Sequence, residues 1–172
     1  MLEWLLSIIV FIFPAYVANA SPVILGGGAP IDGGRNAWDG NRVFGKGKTW
    51  RGLIFGILAG AIVGAILAFV VPADLAYGLS FNSRLAAGFL LSAGALAGDL
   101  AGSFTKRRFG YKSGQSSMLL DQLPFLAFAL LFTLPFHTPT VEEVVFLALL
   151  TVGMHVLTNR IAFLLRLKKV PW

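Results

Sequence analysis

Two aspartates, Asp99 and Asp121, lie inside apolar stretches, and the short polar loop between those stretches carries Lys106, Arg107, Arg108 and Lys112. Ionisable groups within membrane-length segments are costly and usually face a protein interior or a water-filled cavity. Two carboxylates bracketing four cations have the chemistry to hold a divalent metal ion and a polyphosphate. Hard oxygen ligands suit Mg²⁺, which usually takes one or two carboxylates together with substrate phosphates. Lys106, Arg107 and Lys112 would then neutralise phosphate charge, that of a departing pyrophosphate included. A plain topogenic loop would account for the cations but not for the embedded acids.

A second polar stretch, Gly45-Lys46-Gly47-Lys48-Thr49, invites a P-loop reading and fails it. The pattern needs a glycine five residues before Gly47, where Arg42 stands, and no strand–helix context surrounds it. What survives is a flexible backbone with Lys48, Thr49 and Arg51 leading into a helix N-terminus, which favours phosphate. The two loops are expected to converge on one nucleotide, because each alone is an incomplete site. The chain has no cysteine, which excludes thiolate ligands and a thiol nucleophile. His137 reads as interfacial and His155 as an interior histidine of the last span rather than as ligands.

The elements that must position these groups are membrane spans. Of 172 residues, 56% are hydrophobic and only 13% charged, against about 25% in soluble domains, and the mean hydropathy is +0.77. Five apolar segments are predicted, at about 2–18, 51–71, 85–104, 118–136 and 141–165, forming a single all-α integral membrane domain over 1–172. Ala18-Asn19-Ala20 looks like a signal-peptidase site, but the basic leader that such a peptide needs is missing, and Glu3 is the first charge. The third segment is rich in small residues, which let helices approach closely in lipid, so it should be central. Thirteen of the fourteen Lys and Arg residues fall on one face of this topology, with Arg84 opposite. The positive-inside rule then sets the N-terminus outside, the C-terminus in the cytoplasm and both functional loops cytoplasmic, in a multi-pass protein of the cell membrane. The net charge of +6 is explained by this topology without a nucleic-acid partner. Trp4, Trp50 and Trp172 read as interface anchors.

Ser103–Gly114 reads S-F-x-K-R-R-x-G-x-K-x-G, with Gly98-Asp99 before it and Asp121-Gln122 after it. In the first loop, Pro30–Gly34 reads P-x-D-G-G and Asp39–Gly52 reads D-G-x-R-x-x-G-x-G-K-T-x-R-G. Together with Asn19 and Pro22 at the end of the first span, these strings resemble the CDP-archaeol synthase family over nearly the whole chain. They are distantly similar to the CDP-diacylglycerol synthases, although His-Gly-Gly before the later Asp is replaced here by Met118-Leu119-Leu120. Asp39-Gly40-x-Arg42 also resembles the opening of the CDP-alcohol phosphotransferase signature, but its spacing differs and that family is set aside.

The resemblance implies a Mg²⁺-dependent cytidylyltransferase that joins CTP to an isoprenoid glycerol-phosphate lipid at the bilayer and releases pyrophosphate. Asp99 and Asp121 are the candidate metal ligands and catalytic carboxylates, with Lys106 and Lys112 as candidate catalytic cations. Lys48, Thr49, Arg51, Ser103, Lys106, Arg107, Lys112 and Gln122 would bind CTP phosphates. Asn19, Pro22, Asp39 and Arg42 are candidates for the lipid phosphate or the base. The rival from another class is an ion-coupled transporter using Asp99 and Asp121. Against it, the chain shows no internal repeat, and its polar residues gather at one face rather than at the midplane. Oligomeric state stays open.

Overall fold

A computed structural model describes residues 2–115, 117–164 and 166. Among these the chain is all helical: α1 (Leu2–Ala20), α2 (Pro22–Leu25), α3 (Trp50–Val70), α4 (Phe81–Arg108), α5 (Met118–Phe132) and α6 (Val141–Leu164), with a 3₁₀ turn at Ala73–Ala76. The five longer helices follow the predicted order. Residues 2–25, 50–70 and 81–108 are long and apolar enough, by length and composition, to cross a membrane. At 1.5 Å per residue, the 28 residues of α4 reach about 42 Å. That exceeds a hydrocarbon core of about 30 Å, so the charged last turn of α4 can stand at the polar boundary.

The helix ends follow from local chemistry. Thr49 caps α3, its hydroxyl accepting from Gly52 N at 3.1 Å, and Ser80 caps α4 through Ser83 N at 3.2 Å. The cap sets the start of α4 four residues before the expected Leu85. At the other end, Lys106, Arg107 and Arg108 suit the negative end of the helix dipole and carry α4 past the expected residue 104. α5 stops at Phe132 rather than 136. There the Thr133 hydroxyl donates back to the Ala129 and Leu130 carbonyls, and Phe136 N and His137 N bond to Thr133 O in successive turns.

Helix α4 is central, packing against α5, α3 and α1, as its small residues led one to expect. Bare backbone makes the closest approaches. Gly52, Gly56, Gly60 and Gly64 form a buried stripe four residues apart on α3. A Cβ added at Gly64 would lie 2.8 Å from Gly88 Cα on α4. On the other side of α4, a Cβ at Gly98 would meet Phe125 Cα of α5 at 2.6 Å. Ile8 and Ile12 of α1, Leu91 and Leu96 of α4, Phe125 of α5 and Leu147 of α6 fill the core between these helices.

Candidate active site

Each acid that marked the sequence is held by a lysine from another element. Lys48, at the end of the first loop, donates to both oxygens of Asp99 on α4, at 2.7 and 2.5 Å. Lys106, in the last turn of α4, pairs with Asp121 in the first turn of α5 and donates to Gln115 O at 3.1 Å. The backbone N–H of Ser117 adds a bond to Asp121 at 2.8 Å. A cation thus stands against each of the two carboxylates.

Lys48 lines two adjoining cavities. The smaller, about 30 Å³, is bounded by Pro22, Ile31, Thr49, Leu96 and Asp99 among others. The larger, about 300 Å³, is lined by Phe44, Lys48, Ser103, Lys106, Arg107, Ser113, Gln115, Asp121 and His155. Arg107 is only 4% exposed, and its Nε and Nη1 have no hydrogen-bond partner. Arg84 Nε and Arg108 Nη1 also lack a hydrogen-bond partner, but each of these residues donates through another nitrogen to a backbone carbonyl.

The first loop is built around Asp32, which is buried and accepts from Gly34 N (3.0 Å), Phe44 N (3.1 Å), Gly45 N (2.9 Å) and the Arg42 guanidinium. Burial raises the affinity of Asp32 for a proton. The Arg42 hydrogen bond and the three backbone donors outweigh it and hold the carboxyl below its ordinary range. Antiparallel bridges at Pro30–Thr49 and Asn36–Arg42 close this loop on itself. It then docks on the second loop. Arg108 lies 3.0 Å from Asp39, bonds to Arg42 O at 2.8 Å, and sits over the rings of Trp38 and Phe104. Lys46 N donates to Ser113 Oγ at 3.2 Å. At the same junction Gly45 has φ +112°, and a Cβ there would come within 2.9 Å of that oxygen. The two loops are thus in direct contact.

Other sequence candidates stand elsewhere. The Thr49 hydroxyl is committed to its cap, and the Arg51 guanidinium lies 6.0 Å from the Phe55 ring centre, outside both cavities. Lys112 is among neither cavity's lining residues, and its backbone N–H donates to Gln115 Oε1. Arg42 and Asp39 are engaged within and between the loops rather than turned to a ligand. Pro22 borders the smaller cavity, and Asn19 a groove between α1, α5 and α6. Gln122 lies 2.7 Å from His155 Nδ1. His155, read from the sequence as an interior histidine of the last span, was not among the site candidates. The α5–α6 crossing instead puts it in the wall of the larger cavity, and only that crossing could have revealed it. Asp32 was visible as the acid of P-x-D-G-G, but nothing local pointed to its loop-building role.

Residues 1–172 match the CDP-archaeol synthase (CarS-like) family. The chain belongs to the CDP-archaeol synthase family. CDP-archaeol synthases from Methanococcus aeolicus and Thermococcus onnurineus are 45% and 50% identical to it. The first alignment covers 95% of this chain and 94% of the relative, and the second 94% of each. A solved structure of an intramembrane enzyme for archaeal membrane lipids biosynthesis matches with a TM-score of 0.77 at 39% identity. That match covers 88% of this chain and 91% of the other. Nothing in this family supports the transporter alternative.

Proposed function

We propose that this chain is a membrane-embedded cytidylyltransferase that transfers CMP from CTP to an isoprenoid ether-lipid phosphate, unsaturated archaetidic acid. An oxygen of the lipid phosphate attacks the α-phosphorus of CTP, and the bond from that phosphorus to the β-phosphate bridging oxygen breaks. Pyrophosphate leaves, and CDP-archaeol remains in the bilayer. The observation that carries this reading is Arg107, a buried guanidinium with unpartnered donors, converging with Lys48 and Lys106 on one chamber. A phosphate nucleophile needs little general-base help, so positioning and charge neutralisation carry the chemistry. Lys48, Lys106, Arg107 and Ser103 are assigned to the phosphates.

Asp99 and Asp121 fit Mg²⁺ by donor type, as hard oxygens, each held by an ammonium that a phosphate can draw away. No cluster of three or more His, Asp or Glu exists among the described residues. The remaining ligands would come from substrate phosphate and water, as is usual for this ion. Bound there, Mg²⁺ supplies positive charge to the polyphosphate. The five spans and the cytoplasmic placement of the chamber rest on the distribution of Lys and Arg. A cysteine at Arg35 should react with an impermeant maleimide from the cytoplasmic side only, and one at Asp74 from outside only; the reverse pattern inverts the topology.

The deciding assay supplies α-labelled CTP, Mg²⁺ and lipid phosphate to the purified chain. Label should enter the lipid phase with stoichiometric release of pyrophosphate. Label that stays in the aqueous phase would rule the activity out.

A further inference from the structure

The last turn of α4 carries three consecutive cations, Lys106, Arg107 and Arg108, and they do not share one task. Successive residues of an α-helix point about 100° apart. Lys106 and Arg107 line the phosphate chamber, whereas Arg108 is absent from its wall. Arg108 turns to the first loop. Its Nη2 donates to Asn41 O at 3.2 Å and to Arg42 O at 2.8 Å, and its Nε lies 3.0 Å from an Asp39 oxygen. The centre of the guanidinium stands 5.2 Å from the Trp38 ring centre and 4.8 Å from that of Phe104, within the roughly 6 Å reach of a cation–π contact. Carbonyls and a carboxylate therefore meet its edge, and aromatic rings meet its face.

This grip reaches the chamber by a short path. The Phe104 ring, one turn before Arg108, meets Trp38 at 5.9 Å and Phe44 at 6.4 Å between centres, and Phe44 stands in the chamber wall. Arg42, whose carbonyl Arg108 holds, pairs through its own guanidinium with the buried Asp32, which accepts in turn from Phe44 N and Gly45 N. Gly45 O then accepts from Lys48 N at 3.2 Å, and Lys48 O accepts from Ile31 N at 2.8 Å. A loop braced in this way moves as a unit, so a hold on its tip is also a hold on Lys48. Among the described residues, the other hydrogen bond between the two loops is Lys46 N to Ser113 Oγ.

We propose that Arg108 is a positioning residue. It clamps the tip of the first loop, residues 38–42, to the end of α4 and so sets Lys48 in the chamber, without touching substrate itself. The proposal rests on the cytidylyltransferase reading and deepens it. Arginine suits the place because its planar group donates along its edge while it stacks on its face, which a lysine ammonium does not do.

The test uses the full chain in detergent, with Arg108→Ala and Arg108→Lys assayed for CMP transfer. In Arg108→Ala, kcat/KM for CTP should fall about tenfold, with the KM for lipid phosphate and the Tm of the bundle unchanged. Arg108→Lys keeps the charge but loses the fork and the stack, and should recover less than half of that loss. The deciding readout is the background. On Lys48→Ala, Arg108→Ala should cost less than about twofold, because the group that it positions is already gone. On Lys106→Ala, whose ammonium α4 carries itself, it should still cost at least about fivefold. Equal losses on both backgrounds, or unaltered CTP kinetics in Arg108→Ala, overturn the proposal. Should Arg108→Ala fail to fold, Trp38→Ala and Asp39→Asn loosen the same clamp more gently. Each should lower CTP use on the native background and add nothing on Lys48→Ala; a further loss there overturns it as well. Limited proteolysis within residues 33–47 reads the clamp without the reaction. Cleavage should quicken several-fold in Arg108→Ala while the helical circular-dichroism signal is kept, and an unchanged rate overturns the clamp. An unaltered chain that transfers no CMP, beside an Arg108→Ala loop that is cleaved faster, overturns the reading beneath while sustaining the clamp.

Discussion

Ionisable side chains gather at both ends of the helix bundle, and the two gatherings are built differently. At the end where α3 gives way to α4, the carboxylate of Glu143 is buried. It accepts from Tyr77 Oη at 2.8 Å and Thr140 N at 2.9 Å, and pairs with His137 Nε2 at 2.9 Å. His137 stacks on Tyr77, their ring centres 3.8 Å apart. Polar groups so fully met need nothing from outside, and they fasten α6 to the rest of the bundle. At the basic end, a guanidinium just as buried is left with two unpartnered nitrogens. Asp121 supplies that guanidinium an opposite charge, but each buried donor left without a hydrogen bond costs about 1–3 kcal/mol, a cost that the proposed anionic substrate would offset. The contrast separates groups that hold the fold from groups that await a ligand.

The largest effect is expected at the acids of the basic end. Asp99→Asn and Asp121→Asn should each lower turnover at least ~1,000-fold, about 4 kcal/mol of transition-state stabilisation, with the helical circular-dichroism signal kept. Near-normal turnover at saturating Mg²⁺ would undo the assignment of the acids.

The contrast itself is probed by a crossed pair. Arg107→Ala should cost ~100-fold in activity, about 2.7 kcal/mol, while Tm holds or rises because buried donors without hydrogen-bond partners are removed. Glu143→Ala should do the reverse, destabilising the fold by about 3 kcal/mol while folded molecules keep their specific activity. Matching Tm losses with activity intact in both variants would erase the distinction.

Lys48→Ala and Lys106→Ala should each slow CTP use about tenfold, or 1.4 kcal/mol. The double variant should lose less than the product of the two if both act on one nucleotide. A change confined to the lipid KM in Lys48→Ala would divide the loops between two substrates.

The smallest effect concerns pH. The folded pKa of Asp32 lies below its unfolded value, so its stabilisation of the first loop is fully present above the unfolded value of about 3.9. It is lost as pH falls through the lower folded value. Proteolytic cleavage within residues 33–47 should therefore quicken only in strong acid. Cleavage that quickens between pH 6 and 5 would mean that Asp32 is not what holds the loop.

The order of the longer helices was legible because apolar runs with polar breaks announce themselves locally, and Asp99, Asp121 and the basic loop stood out as the ionisable groups at the breaks. The ends of α4 shifted because a Ser80 cap and a cationic last turn outweigh the point where apolarity fades. His155 stayed hidden because its neighbours belong to α5, and helix crossings leave no mark in a short window of sequence. Lys112 and Arg51 looked equivalent to Lys106 and Lys48 on the string. What parts them is which side of a loop or helix turns inward, set by contacts such as Gly45 against Ser113.

The two lysine–aspartate pairs bear on how the resting protein avoids trouble. A chamber of bare acids would scavenge stray cations, and one of bare ammoniums would retain any passing anion. By sheathing each carboxylate with its own ammonium, the molecule balances four of the charges at the site and leaves Arg107 as the excess. In the proposed reaction, phosphate drawing Lys48 and Lys106 toward itself would uncover Asp99 and Asp121 together. Under the proposed reaction, nucleotide and metal would then recruit each other, each tightening the other's hold by the same factor, and neither would linger alone.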